Sequence, residues 1–163
     1  MSSGRRHLLL WERLSSEPEA PSGPLPSSRH VSSSLLRESV RRELSLLFNT
    51  TALSAVEPLD CMIHAERSVI NYGLPDLTGK TSSGVDRPWL EQRLARAIRD
   101  FEPRLQPGSV RVSVAPHQPL RHNVLSFEIE AVLAGDQEQE AVHFSSMLDL
   151  ESGAAVVRQN SLT

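Results

Sequence analysis

The sequence predicts an α+β domain in which two main helices pack on a four-stranded antiparallel meander sheet. Apolar residues recur at steps of three and four in two stretches, Leu36 to Phe48 and Leu90 to Phe101. From Ser109 onward the period switches to two, and the connections between the alternating runs are short, which makes successive strands antiparallel neighbours. A sheet with one apolar face needs cover, and the two helices are the available cover.

The elements follow in order. His7 to Leu14 can form two helical turns with Leu8, Leu9, Trp11 and Leu14 on one side. An isolated helix this short is marginal in water, so it is expected to form only when docked. Ser15 to Ser34 is rich in Ser, Pro, Glu and Gly, with Pro18, Pro21, Pro24 and Pro26 close together, which is linker composition. Residues 1–34 are therefore expected to be a short amphipathic segment on a tether, suited to reaching a partner, and residues 35–163 the folded domain.

In the first helix Ser32, Ser33 and Ser34 offer N-caps, and Leu36, Val40, Leu44, Leu47 and Phe48 share a face. Asn49 is its expected stop. Thr50 to Arg67 lacks a firm period and contains Pro58, so it is expected to be loop with one turn of helix. Ser68 is placed to cap a short helix through Tyr72, ended by Gly73, and Leu74 to Val85 is loop by its Pro75, Gly79 and Gly84. Asp86 as N-cap and Pro88 in the first turn open the second helix, whose stripe is Leu90, Leu94, Ala97, Ile98 and Phe101. Pro103 stops it and pushes Glu102 out of helical geometry.

Val110, Val112 and Val114 mark the first strand, and Leu125, Phe127, Ile129, Ala131 and Leu133 the second, after a connection from Pro116 to His122. A turn at Gly135, Asp136 and Gln137 leads to Val142, Phe144, Ser146 and Leu148; another at Ser152 and Gly153 leads to a fourth strand from Ala154 to about Gln159. One edge of such a sheet is expected to stay unpaired, a hazard in a monomer and a docking strip in a complex.

Composition narrows the function. A chain of 163 residues, 39% hydrophobic and 23% charged, fits one soluble domain with one core. No run approaches the roughly 18 apolar residues of a membrane span. Glu12 and Arg13 cut the early leucine run below the length of a signal-peptide core, so a cytoplasmic protein is expected, with no insertion into a membrane. Cys61 is the single cysteine, which excludes an internal disulfide and fits a reducing compartment. The net charge of −3 argues against nucleic acid, which needs excess positive charge on one face. The basic residues are arginines apart from Lys80, a bias that suits charge pairing at interfaces.

No residue pattern marks catalytic or cofactor chemistry, and no cofactor is expected. Gly73 to Thr81 reads GLPDLTGKT, near a phosphate-binding loop, but five residues separate Gly73 from Gly79 where the motif has four. A glycosidase needs two carboxylates flanking a sugar bond, and Asp60, Asp76, Asp100 and Glu102 sit in no such context. The six histidines are scattered and match no zinc spacing. Cys61 lacks an identifiable base. One oddity remains. Asp100 and Glu102 lie at a helix C-terminus, where the macrodipole disfavours each by roughly 0.3–1 kcal/mol. Arg104 could compensate locally as a salt bridge; alternatively Pro103 holds a carboxylate and a guanidinium rigidly for charge-assisted pairing with a partner.

Two stretches then stand out together. Ser68 to Gly79, SVINYGLPDLTG, and Phe101 to Leu105, FEPRL, resemble the signatures of the TssE family, which supplies a baseplate subunit of the bacterial type VI secretion system and is related to a wedge protein of contractile phage tails. The likeness extends in outline from Leu35 to Val157. It implies a non-enzymatic structural role, helping to join the baseplate wedges to the contractile sheath alongside TssF, TssG and TssK in a large hetero-oligomer. The Glu-Pro-Arg of the family falls on Glu102, Pro103 and Arg104, and likeness to sheath subunits in the sheet implies an edge that accepts a sheath strand. Relatives have been labelled acidic lysozymes, yet no catalytic residue carries over. Pro58 to Arg67 lacks the aromatic that relatives often place there, and the linker is unusually long. Expected contact regions are Leu8, Trp11 and Leu14 in the leader, the Glu102 to Arg104 junction, and a sheet edge. A peptidoglycan hydrolase and an anti-adaptor-like regulator that binds a signalling protein are the rival functions.

Overall fold

The computed structural model describes residues 33–59, 61–115, 123–134 and 139–160, and within them the chain is the α+β sandwich its sequence indicates. Helix α1 (Ser33–Phe48) is followed by a 3-10 turn (Leu53–Ala55), the single-turn α2 (Ile63–Glu66), a second 3-10 turn (Val69–Asn71) and α3 (Arg87–Phe101). Strands β1 (Arg111–Val114), β2 (Val124–Val132), β3 (Ala141–Asp149) and β4 (Ala155–Asn160) form one sheet in the order β1-β2-β3-β4. Each neighbouring pair is antiparallel.

The strand register places Leu125, Phe127, Ile129 and Ala131 of β2 beside Leu148, Phe144 and Val142 of β3 on the face under the helices. Leu36, Val40, Leu44 and Leu47 from α1 and Leu90, Leu94 and Ile98 from α3 close on that face. Burying a side chain of this size stabilises by about 1.5–3 kcal/mol, so this seam dominates the fold. Phe48 meets Phe127 edge to face at 5.3 Å. Asp86 caps α3 as its position implies, its Oδ1 accepting from the Trp89 N–H at 3.3 Å, with Pro88 in the first turn.

Two local expectations are corrected. Ser68 does not cap a helix: its hydroxyl donates back to the Ala65 carbonyl at 3.0 Å, and only a 3-10 turn follows. Gly73 is not a helix stop. With φ of +129°, it marks a close approach, since a Cβ there would lie 2.4 Å from the Thr50 carbonyl oxygen. The expected stripe of α3 holds, with Leu90, Leu94 and Ile98 buried and Ala97 and Phe101 partly buried against the core, and Ala95 is buried beside it.

Candidate interaction sites

The junction after α3 is built from the helix outward. Glu102 is the C-cap residue, with φ −118° and ψ 81°, outside helical geometry as Pro103 requires, and its N–H donates to the Ile98 carbonyl at 2.8 Å. Its side chain turns inward and is 3% exposed, so its charge must be satisfied internally. Arg104 does this with a fork: Nε donates to Glu102 Oε1 at 2.7 Å and Nη2 to Oε2 at 2.5 Å. The Arg104 N–H adds a third bond to Oε1 at 3.1 Å, and Nη1 reaches Ser39 Oγ on α1. Pro103 stays exposed between them. The fixed ring sets the two flanking side chains on the same inward side, so the Glu-Pro-Arg run stitches α3 to α1.

The following residues continue the stitching into the sheet. The Gln106 N–H donates to the Val132 carbonyl at 2.8 Å and the Ala134 N–H to the Arg104 carbonyl at 2.7 Å, with Leu105 bridging to Leu133. Asp100, the other anion at this helix end, pairs with Arg67 at 3.2 Å and Arg96 at 3.6 Å, and Arg96 also holds Glu66 at 3.0 Å. Compensation of the helix dipole thus comes from three arginines, two of them outside the junction.

The first signature stretch has a comparable role. Asn71 is 8% exposed; its Oδ1 accepts from the Ser54 N–H at 2.8 Å and its Nδ2 donates to the Glu66 carbonyl at 2.8 Å, tying three short turns together. Tyr72 stacks edge to face on Phe101 at 5.2 Å and donates its hydroxyl to the Glu43 carbonyl at 3.4 Å. Burial, then the charges of Glu43 and Glu102, push its phenol up to about 12. Around Gly73 the Leu74 N–H donates to the Thr50 carbonyl and the Ala52 N–H to the Leu74 carbonyl, both at 2.8 Å. The Gly79 N–H donates to the Leu150 carbonyl at 2.9 Å, so the stretch runs as a belt from the end of α1 to the β3–β4 turn.

Other candidates separate. Leu8, Trp11 and Leu14 lie outside the described residues, as does Asp60. Asp76 accepts from the Thr78 N–H, which holds its carboxyl below the usual range, the wrong direction for a general acid. Among the described residues no three His, Cys, Asp or Glu side chains come together as a metal site would require, and no helix is long and apolar enough to cross a membrane. What sequence reasoning missed is that several apolar residues in the stretch between α1 and α3 face outward: Val56, Ile63, Val69 and Ile70 are 61–81% exposed. The absence of a helical period in this stretch is the only local hint, because nothing sequential distinguishes an outward valine from an inward one.

The family model of baseplate wedge protein gp25 matches residues 34–138, a span that contains both signature stretches. No curated protein and no solved structure matches the chain.

Proposed function

The chain belongs to the baseplate wedge protein gp25 family, and from that premise we propose that it is a non-enzymatic subunit of a type VI secretion baseplate, joining the wedge to the contractile sheath. Family membership makes its role structural, within a phage-tail-like baseplate. The finer reading adds TssF, TssG and TssK as neighbours, a cytoplasmic assembly site, and help in starting the sheath.

The family match across both signature stretches is the observation that carries this reading. Three surfaces are proposed for contact. The leader offers Leu8, Trp11 and Leu14. The junction offers Pro103 at the surface over the Glu102–Arg104 pair, which would fix the shape a neighbour meets. The sheet offers an edge to an extended sheath segment. The exposed Val56, Ile63, Val69 and Ile70 supply apolar area of the kind that interfaces bury.

The test uses a strain that assembles fluorescent sheaths. Deleting the chain should abolish sheath foci, and replacing Leu8, Trp11 and Leu14 together by alanine should reduce them while the purified protein keeps its melting temperature. Normal foci without the chain would refute the reading, as would clearing of a cell-wall suspension by the purified protein.

A further inference from the structure

We infer that the solvent side of α3 docks an acidic segment of a partner protein, whose carboxylates meet Lys80, Arg93 and Arg96 and whose apolar side chains lie on Trp89. This surface is separate from the leader, the junction and the sheet edge, and it holds whichever assembly the partner belongs to.

The strip is continuous from one side chain to the next. Lys80 Nζ and the Arg93 guanidinium each lie 5.7 Å from the centre of the Trp89 ring. Arg93 reaches Glu66 only at 3.9 Å, while Arg96 holds the same carboxylate at 3.0 Å. Arg96 continues to Asp100 at 3.6 Å, which Arg67 holds from outside the helix at 3.2 Å. One indole, four cations and two carboxylates are thus strung along about 16 Å of helix between Trp89 and Asp100. The cations are in excess. Asp76 and Asp86 adjoin the strip, but Arg87 and Arg99 on the same helix have no ion pair among the described residues, and Glu91 is turned to the Val114 N–H of β1. Nor is the charge buried, since the side chains of Arg67, Arg93 and Arg96 are 43–63% exposed and Lys80 is exposed as well.

The chemistry of the strip selects its occupant. The ring attracts each of the two cations around it, yet the cations repel one another, and an added carboxylate relieves that repulsion. Lys80 has no ion pair of its own among the described residues, and neither does the Trp89 indole N–H have a hydrogen-bond partner among them. Ammonium, guanidinium and indole are all donors, so the complementary partner is rich in acceptors. Trp and Arg are also the side chains that most often dominate binding energy at protein interfaces, the one as apolar surface and the other as a planar fork of donors. Glu66 and Asp100 lie within the strip and repel a uniform polyanion. A phosphodiester chain or an anionic bilayer therefore fits less well than a peptide that alternates acids with apolar residues. About five extended residues span the length.

The probe is the peptide Glu-Leu-Glu-Leu-Glu, capped at both ends and titrated into the full chain carrying Trp11→Phe, so that Trp89 is the single indole that fluoresces. Its emission should change saturably, and the affinity should fall about fivefold when Lys80→Gln and Arg93→Gln are combined, as the loss of two exposed ion pairs implies. Arg158→Gln removes a charge from the opposite face of the sheet and should leave the affinity as it was. An emission that does not respond, or an affinity unchanged in the double variant, overturns the inference. Tighter binding of oligothymidylate or of phosphatidylglycerol vesicles, lost in the same variant, overturns it too and makes the strip a surface for nucleic acid or lipid. Should the double variant fail to fold, the peptide Gln-Leu-Gln-Leu-Gln decides with the charges of the strip intact: it should leave Trp89 unchanged, and binding equal to that of the acidic peptide overturns the inference.

Discussion

Glu102 and Arg104 show how much two residues decide when both are taken out of water. The Glu102 side chain is 3% exposed and that of Arg104 12%, so neither charge has solvent to fall back on. Removing one partner of such a pair typically costs about 3–5 kcal/mol, while replacing both by apolar groups costs far less. Glu102→Leu and Arg104→Met should each lower the free energy of unfolding by that amount, and the double variant by clearly less than the sum. Additive losses in urea titrations would show that the pair is not coupled. The sequence singled out these residues through their conflict with the helix dipole, but Ser39, 65 positions away, was invisible to it. Tyr72 gives a pH signature. Its phenol is raised from 10 to about 12, so the fold favours the neutral form; that stabilisation is complete below pH 10 and lost as pH rises toward 12. Because Tyr72 is the single tyrosine, phenolate absorbance should appear with a midpoint near 12 and move down in Glu43→Gln. A midpoint at 10 would contradict the burial seen around the ring.

Among the elements, the helices and strands were the most legible because each declares itself within a few residues. The steps of three and four at Leu36, Val40, Leu44 and Leu47, and the alternation at Leu125, Phe127, Ile129 and Ala131, place the buried faces correctly. The short turns between α1 and α3 were not legible. Their geometry depends on Asn71 and Gly73 meeting residues near Thr50, and a 3-10 turn of three residues has no period to detect. The alternation of β3 also carries a flaw. Ser146 falls on the buried face, 1% exposed, and its hydroxyl has no partner among the described residues. An unsatisfied buried hydroxyl costs about 1–3 kcal/mol, so Ser146→Ala should stabilise by about 1 kcal/mol after the loss of some packing. A lower denaturation midpoint in that variant would mean that the hydroxyl is satisfied in solution.

For the whole molecule, the core is drawn from Leu36 to Val157, which predicts that the domain stands without its leader. Protein starting at Ser33 should keep its far-ultraviolet dichroism and melt within a few degrees of the full chain, while losing any contacts that Leu8, Trp11 and Leu14 make. Unfolding of the shortened form at room temperature would show that the leader belongs to the core. By itself the sequence determined the class of fold, the order of its main elements and their buried faces, since periodicity and capping act over a few residues. Only the tertiary structure decided that the Glu102 carboxylate turns inward, that Val69 and Ile70 turn outward, and that the Asn49 carboxamide binds both main-chain groups of Ala155 on β4. Those outcomes join residues up to 106 positions apart, and which distant group satisfies a charge or a main-chain donor is fixed only when the elements pack.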